Sequence, residues 1–129
     1  MHKDQITDVC EIENPFCIAT CSRDKRIVLY NLKHKYKIRT IPAGIGHVTG
    51  VKRLAYSAYF GGHLVSVGHE VYANVWGPES TISDILLGKL KGHNKPIIDT
   101  CFVGKTPFNV TLDETNLVRI WDIRSLSCN

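Results

Sequence analysis

One pattern of residues occurs three times in this 129-residue chain, at a spacing of 45 and then 46 residues. Each copy begins at a histidine: His2, His47 and His93. Isoleucine or valine follows four positions after each histidine, and an aromatic residue follows after 28 or 29 positions. The three aromatic residues are Tyr30, Trp76 and Trp121. A regular period of this length indicates repeated structural units, each of which buries its apolar face against the next.

Each copy consists of short apolar segments separated by turn residues, which predicts an all-β unit. In the first copy, TDVCEIE, FCIATCS and RIVLYNL are divided by Asn14-Pro15 and by Asp24-Lys25. The segments KYKIRTI and DILLGKL follow the first and second copies, and each predicts a fourth strand. SLSCN, after the third copy, is too short for a complete strand. We therefore predict eleven strands, in two four-stranded units and one three-stranded unit.

The repeat resembles the WD-repeat (WD40) family of β-propellers, in which a unit carries Gly-His near its start and Trp-Asp near its end. Gly46-His47, Gly92-His93 and Trp121-Asp122 match these motifs in full, whereas Met1-His2, Tyr30-Asn31 and Trp76-Gly77 match them in part. The resemblance covers essentially the whole chain. It implies about three consecutive blades of an incomplete, open propeller, built from antiparallel four-stranded sheets. The repeats would span approximately residues 2–46, 47–92 and 93–129.

A second, weaker resemblance concerns the segments NVWGPES and ILLGKLKGHNKPII. They are similar to certain EF-hand-associated WD-repeat proteins of cilia and flagella, although the sequence contains no EF-hand loop. The first residues are not a secretory signal, and no run of 18 apolar residues is present. We therefore expect a cytoplasmic protein with no membrane partner, and the second resemblance implies the cytoskeleton of a cilium or flagellum.

The WD40 resemblance also implies a buried chain of hydrogen bonds in each blade. In this family the Trp, a Ser or Thr, the His and an acidic residue are linked, which satisfies polar groups left inside tight turns. The corresponding sets are His2, Ser22, Asp24 and Tyr30; His47, Glu70 and Trp76; and His93, Thr111, Asp113 and Trp121. Gly68 stands where the middle set should have a hydroxyl, so the middle network is predicted to be incomplete.

Ser, His and Asp together also fit a catalytic triad. We prefer the structural interpretation, because the sets recur at the repeat period and a catalytic site does not normally occur once per repeat. His34, His63 and His69 fall in different segments, and the five cysteines form no Cys-x-x-Cys pair. We interpret the cysteines as small, buried, reduced thiols. The sequence therefore predicts no enzyme activity, no cofactor and no metal site.

The rigid turns of a propeller favour a non-enzymatic protein–protein interaction scaffold, since loops on a rigid framework commonly carry binding. The turns next to each repeat histidine and each repeat acid are the candidate binding face. Its residues are Lys3, Asp4, Gln5, Arg23, Val48, Thr49, His69, Asn94, Lys95 and Leu112. The partners would be other proteins, whose identity the sequence does not specify.

An alternative function rests on alternating cations between the first and second copies. Lys33, Lys35, Lys37 and Arg39 would share one face of a strand, since successive side chains alternate. This face is either a solvated outer edge or a stripe that binds an acidic protein or nucleic acid. The net charge of +4 is mild, which makes nucleic acid the less favoured partner.

Three units are fewer than the four to eight blades that usually close a propeller. Three explanations are open at this stage. The chain is a fragment of a larger WD-repeat protein, or several copies associate into a ring, or the blades depend on a partner. The first is the one we favour from the sequence.

Overall fold

A computed structural model describes residues 2–12, 17–32, 38–42, 44–59, 62–78 and 84–128. These residues form twelve strands in three antiparallel sheets of four, and each sheet uses consecutive strands in chain order. Among the described residues there is no helix of the length and hydrophobicity that a membrane crossing requires. Lys33, Lys35 and Lys37 of the predicted cationic stripe lie outside the described residues, as do Asn14 and Pro15.

The strands follow one another from the inner edge of each sheet to its outer edge. The first sheet contains β1 (Ile6–Ile12), β2 (Cys17–Ser22), β3 (Ile27–Asn31) and β4 (Ile38–Ile41). The second contains β5 (Val51–Ser57), β6 (His63–Gly68), β7 (Tyr72–Trp76) and β8 (Leu86–Lys91). The third contains β9 (Ile97–Phe102), β10 (Phe108–Asp113), β11 (Val118–Asp122) and β12 (Ser127–Cys128).

The fourth strand of the third sheet corrects the prediction of a three-stranded unit. Ser127 and Cys128 pair with Asp122 and Trp121 of β11. Leu126, just before this strand, packs against Gly88 of the second sheet and joins the core there. Two paired residues are too few to show an alternating pattern in the sequence, so the strand was missed.

The three sheets pack side by side through two apolar cores. Strands β1 and β2 pack against β5, and β5 and β6 pack against β9. Because side chains of a strand alternate between its two faces, the second sheet contributes to both cores. Leu64 and Trp76 belong to the core shared with the first sheet, whereas Val65 and Val67 belong to the core shared with the third.

No disulfide joins the cysteines among the described residues, and these cysteines are not all buried. Cys21 is fully buried and Cys10 partly so, and burial raises the pKa of Cys10 to about 11 and that of Cys21 to about 12. Cys101 and Cys128 are exposed, so the prediction of buried thiols is wrong for them. Cys101 occupies the repeat position of Cys10, but its face of the third sheet is not covered by another described sheet.

Candidate functional site at the histidine end of the sheets

The three repeat histidines lie at the same end of the three sheets, which we call the histidine end. It comprises the loops that enter the inner strands, at residues 2–5, 47–50 and 93–96, and the turns between the second and third strands. Those turns are at residues 23–26, 69–71 and 114–117. The neighbouring sheets therefore present their histidine loops and turns to solvent side by side.

The third sheet holds a four-residue buried network. Trp121 Nε1 donates to Thr111 Oγ1 at 2.7 Å, and Thr111 Oγ1 lies 2.6 Å from His93 Nε2. His93 Nδ1 lies 2.7 Å from Asp113 Oδ2. The indole therefore donates to the hydroxyl, the hydroxyl to Nε2, and Nδ1–H to the carboxylate. All four side chains are buried, so each hydrogen bond replaces one that water would have made.

The second sheet holds a complete network of the same kind, contrary to the prediction. Ser66 supplies the hydroxyl: its Oγ accepts from Trp76 Nε1 at 2.7 Å and lies 2.6 Å from His47 Nε2. His47 Nδ1 lies 2.9 Å from Glu70 Oε1. Gly68 instead leaves room for its neighbours, because a Cβ at this position would lie 2.6 Å from both Glu70 Oε1 and the Gly50 carbonyl oxygen.

The first sheet uses Thr20 in place of the predicted Ser22. His2 Nε2 lies 2.8 Å from Thr20 Oγ1, and His2 Nδ1 lies 3.1 and 3.2 Å from the two oxygens of Asp24. Ser22 Oγ instead accepts from the Asp24 amide at 3.1 Å and fixes the turn. Tyr30 stands in the position of the two tryptophans, paired across the strands with Ile18.

The errors in assigning the hydroxyls have one cause. The hydroxyl precedes the aromatic residue by ten positions in every copy, because the hairpin between the second and third strands keeps the same register. The acid is not fixed in this way: it follows the hydroxyl by four residues in the first two copies and by two in the third. The predicted positions each lie two residues before the acid, whereas the position ten residues before the aromatic residue identifies Thr20 and Ser66.

The acids also hold the loops that follow the histidines. Glu70 Oε2 accepts from the amides of Val48 and Thr49 at 2.9 and 3.0 Å. Burial alone raises the pKa of Glu70, but hydrogen bonds from His47 and Thr49 outweigh it and lower the pKa to about 2. In the first sheet the Lys3 amide donates to Asp24 Oδ2 at 2.7 Å. Hydrogen bonds from Lys3 and Arg26 lower the pKa of Asp24, against the opposing effect of burial.

Asp113 binds its own turn more extensively. Its Oδ1 accepts from the Thr115 hydroxyl at 2.6 Å, the Thr115 amide at 2.8 Å and the Leu117 amide at 3.2 Å. The hydrogen bond from the Thr115 hydroxyl is the largest of the effects that hold the pKa of Asp113 well below its usual range. Asp113 precedes Thr115 by two residues, so its carboxylate reaches the amides of the turn that follows it.

Nine of the ten predicted binding-face residues lie at the histidine end. Lys3, Asp4, Gln5, Arg23, Val48, His69, Asn94 and Lys95 are exposed, and Thr49 is partly buried. Arg23 Nη1 lies 3.4 Å from Gln5 Oε1, and the His69 amide donates to Thr49 Oγ1 at 3.0 Å. Each turn is therefore tied to its own histidine loop.

Leu112 is a correction, because it lies within β10 and lines a cleft on the flank of the third sheet with Val110 and Val118. Glu114 takes the turn position instead. The Glu114 amide donates to the Pro96 carbonyl at 3.1 Å. In the first sheet the Arg23 amide donates in the same way to the Gln5 carbonyl at 3.1 Å. Glu114 was not predicted as a turn residue. The third acid follows its hydroxyl residue by two positions, whereas the other two acids follow theirs by four.

Two exposed valines of the second sheet add apolar surface to this end. Val48, in the histidine loop, is 65% exposed, and Val71, in the turn that also carries His69, is 41% exposed. Val71 was not among the predicted residues. An apolar residue in a tight turn that is not needed for the core is the signal that could have identified it.

The cationic stripe is represented only by Arg39 in the described part of the chain. Arg39 lies in β4, opposite Leu29, and its Nη1 donates to the Pro78 carbonyl of the second sheet. Arg39 thus links two sheets. The arrangement predicted for the three lysines stays a prediction.

No group of three or more His, Cys, Asp or Glu side chains that could hold a metal ion occurs in the described ranges. The buried histidines use both ring nitrogens within their own networks. The chemistry of this end is therefore that of a surface with fixed loops and mixed charged and apolar side chains.

The glycines before two of the histidines explain the Gly-His element. A Cβ at Gly46 would lie 2.5 Å from Trp76 Cη2, and a Cβ at Gly92 would lie 3.0 Å from Trp121 Cη2. The Gly46 carbonyl also accepts from Asn74 Nδ2 at 3.0 Å and from Lys89 Nζ at 3.2 Å. The backbone must therefore pass close to the indole before it turns into the histidine loop.

Comparison with solved structures identifies the fold of the three sheets. The chain is similar to "Structure of U3-55K", with a TM-score of 0.88 and 20% identity, over 100% of this chain and 39% of that chain. It is also similar to "Crystal structure of RRP9 WD40 repeats", with a TM-score of 0.89 and 21% identity, over 100% of this chain and 38% of that one. The chain has the fold of WD40 propeller blades. The three sheets are three consecutive blades, and they span about two fifths of the length of these structures.

No family model matches the sequence, and no curated protein matches it. The resemblance to EF-hand-associated WD-repeat proteins therefore stays a prediction.

We expect Thr111→Val to reduce the free energy of unfolding by about 1–3 kcal/mol, because it leaves the buried Trp121 Nε1 and His93 Nε2 without their shared partner. Chemical denaturation measures the change. The matched control is Thr40→Val in β4, which removes a hydroxyl outside the networks. Equal effects of the two substitutions would contradict the role of Thr111.

Gly46→Ala is expected to destabilise the chain by about 1–3 kcal/mol through overpacking against Trp76. Gly92→Ala should cost less, because the equivalent contact is longer by half an ångström. The order of the two midpoints in denaturant tests this explanation, and a reversed order would refute it.

Stability is expected to fall as the pH drops from about 4.5 to about 2, since the pKa of Glu70 is about 2 in the folded chain and 4.5 is its ordinary value. In this range the unfolded chain binds more protons than the folded chain, so acidification favours unfolding. Glu70→Gln should make the loss of stability with acid shallower. Thermal unfolding at a series of pH values measures it, and an unchanged slope in the variant would contradict the assignment.

Proposed function

We propose that this chain is a non-enzymatic protein–protein interaction scaffold and that the histidine end of its blades is the partner-binding surface. The observation that carries the proposal is the anchoring of exposed loops by buried carboxylates. Lys3, Val48 and Thr49 are each held by a backbone hydrogen bond to Asp24 or Glu70. Loops fixed in this way bind with little loss of conformational entropy.

The composition of this surface indicates the chemistry of the partner. Lys3, Arg23 and Lys95 are exposed cations, and Val48 and Val71 are exposed apolar side chains. A protein segment that combines acidic and apolar residues would complement both, since apolar contacts supply affinity and charges supply steering.

The three blades are proposed to form part of a larger, closed propeller. Solved WD40 chains of this fold are longer than the portion that matches here. Closure covers the flanks of the terminal blades and removes exposed apolar faces.

Capture of proteins from a cell extract on the immobilised chain tests the binding surface. The triple variant Arg23→Ala, His69→Ala and Lys95→Ala is expected to lose most of the captured proteins, because it removes exposed side chains from all three blades. Circular dichroism should show an unchanged fold, since none of the three side chains is buried.

The matched control is the double variant Lys105→Ala and Ser125→Ala, at exposed positions near the opposite end. It should retain the captured proteins. If the triple variant captures the same proteins as the unmodified chain, the histidine end is not the binding surface.

A further inference from the structure

Charge is unevenly distributed over the three blades at the histidine end. On the first blade, the histidine loop and the turn carry four cationic and two acidic residues. On the second blade, the equivalent segments carry Glu70 and no lysine or arginine. On the third blade, the equivalent segments together with Asp113 carry one cationic and two acidic residues. The net charge of this surface therefore changes from positive on the first blade to negative on the third.

The cations of the first blade form one side of the surface, which we call the cationic edge. It comprises Lys3, Arg23, Lys25 and Arg26. Three of these side chains are exposed and Arg26 is half-buried. None of the four forms an ion pair with another residue that the structure describes. The carboxylate in the same turn, Asp24, points into the blade, where it contacts His2 at 3.1 Å. The cationic edge is therefore open to an acidic partner.

The apolar side chains lie next to the cationic edge, on the second blade. Val48 is 65% exposed and Val71 is 41% exposed. A Cβ at Gly50 would lie 3.0 Å from Arg23 Cα, so the first-blade turn is in contact with the second-blade histidine loop. The Val48 amide donates to Glu70 Oε2 at 2.9 Å, which joins this loop to the turn that carries Val71. The cationic and apolar side chains therefore belong to one continuous surface.

The surface continues onto the third blade with a different charge. The Ile97 amide donates to the Glu70 carbonyl at 3.1 Å, and the Glu114 amide donates to the Pro96 carbonyl at 3.1 Å. These bonds connect the second-blade turn, the third-blade histidine loop and the third-blade turn in sequence. Glu114 is exposed, and Lys95 is the one cation of these third-blade segments. An acidic residue of a partner is therefore attracted to the first blade more strongly than to the third.

We propose that the histidine end recognises a protein segment whose acidic residues are clustered next to its apolar residues, and that it binds this segment in one orientation. The acidic cluster lies on the cationic edge, and the apolar side chains lie on Val48 and Val71. Placement of the acidic cluster on the third blade is disfavoured, because like charges would then face each other. The inference rests on the proposed binding surface and adds the order of chemical groups that a partner must have.

Two synthetic peptides test the order of groups, with binding measured by fluorescence anisotropy. Both contain the same numbers of glutamate, aspartate, leucine and valine residues. In the block peptide the acidic residues occupy one half and the apolar residues the other, whereas in the alternating peptide they alternate. We expect the block peptide to bind about tenfold more tightly, because it complements both parts of the surface at once.

Charge reversals and one apolar substitution assign the two halves of the site. Arg23→Glu should weaken binding of the block peptide by about fivefold, and added salt should reduce this difference because exposed charges are screened. Lys95→Glu, on the third blade, should weaken it by less. Val48→Ser should weaken it by a factor that changes little with salt. Lys105→Glu, at an exposed position near the opposite end, alters the net charge equally and should leave binding unchanged.

Three results would overturn the proposal. The two peptides could bind equally well, or neither could bind. Lys95→Glu could weaken binding as much as Arg23→Glu, which would exclude a single orientation. Heparin could displace the block peptide while Val48→Ser has no effect, which would indicate a site for any polyanion.

The capture experiment separates failure of this inference from failure of the proposed function. If the triple variant loses the captured proteins but the two peptides bind alike, the binding surface stands and ordered recognition fails. If the triple variant retains the captured proteins, the binding surface itself fails.

Discussion

The buried chain from indole to hydroxyl to imidazole to carboxylate is the interaction on which the blades depend. A tight turn followed by a close passage of the backbone leaves polar groups inside, and each of these would cost free energy if it were unpaired. In the third blade Trp121, Thr111, His93 and Asp113 meet this need with one another. The carboxylate then extends the network to the turn amides, so that stabilising the blade also fixes its exposed loops.

The same arrangement explains why similar polar sets can recur without catalytic meaning. His47 contacts both Ser66 and Glu70, as a histidine of a triad would, but Ser66 also accepts from Trp76 Nε1. All of these side chains are buried, and the set is repeated in the next blade. A nucleophile must be reachable by a substrate, whereas these hydroxyls are enclosed between sheets. The proposed binding function is accordingly assigned to the exposed residues that the networks position.

Much of the fold could be predicted, because its main signals are periodic. The repeat spacing, the alternation of the strands and the Gly-His and Trp-Asp pairs indicated WD40-type blades, and the similarity to solved WD40 structures confirms that fold. Ser22 and Gly68 were predicted to stand at the hydroxyl positions, which Thr20 and Ser66 in fact occupy. The error arose because the acid follows the hydroxyl by four residues in the first two copies and by two in the third. Leu112 was misplaced for the same reason, and β12 was too short to show a pattern.

The sequence by itself determined the unit and its number, because periodicity is a property of the chain order that needs no coordinates. It also identified His93, Thr111, Asp113 and Trp121 as one polar set of the third copy. Only the tertiary structure decided which hydroxyl meets which imidazole, because strand register brings together residues that are distant in the chain. It alone showed that Val118 is exposed while its equivalent Ala73 is buried, because coverage depends on a neighbouring blade and not on the residue itself.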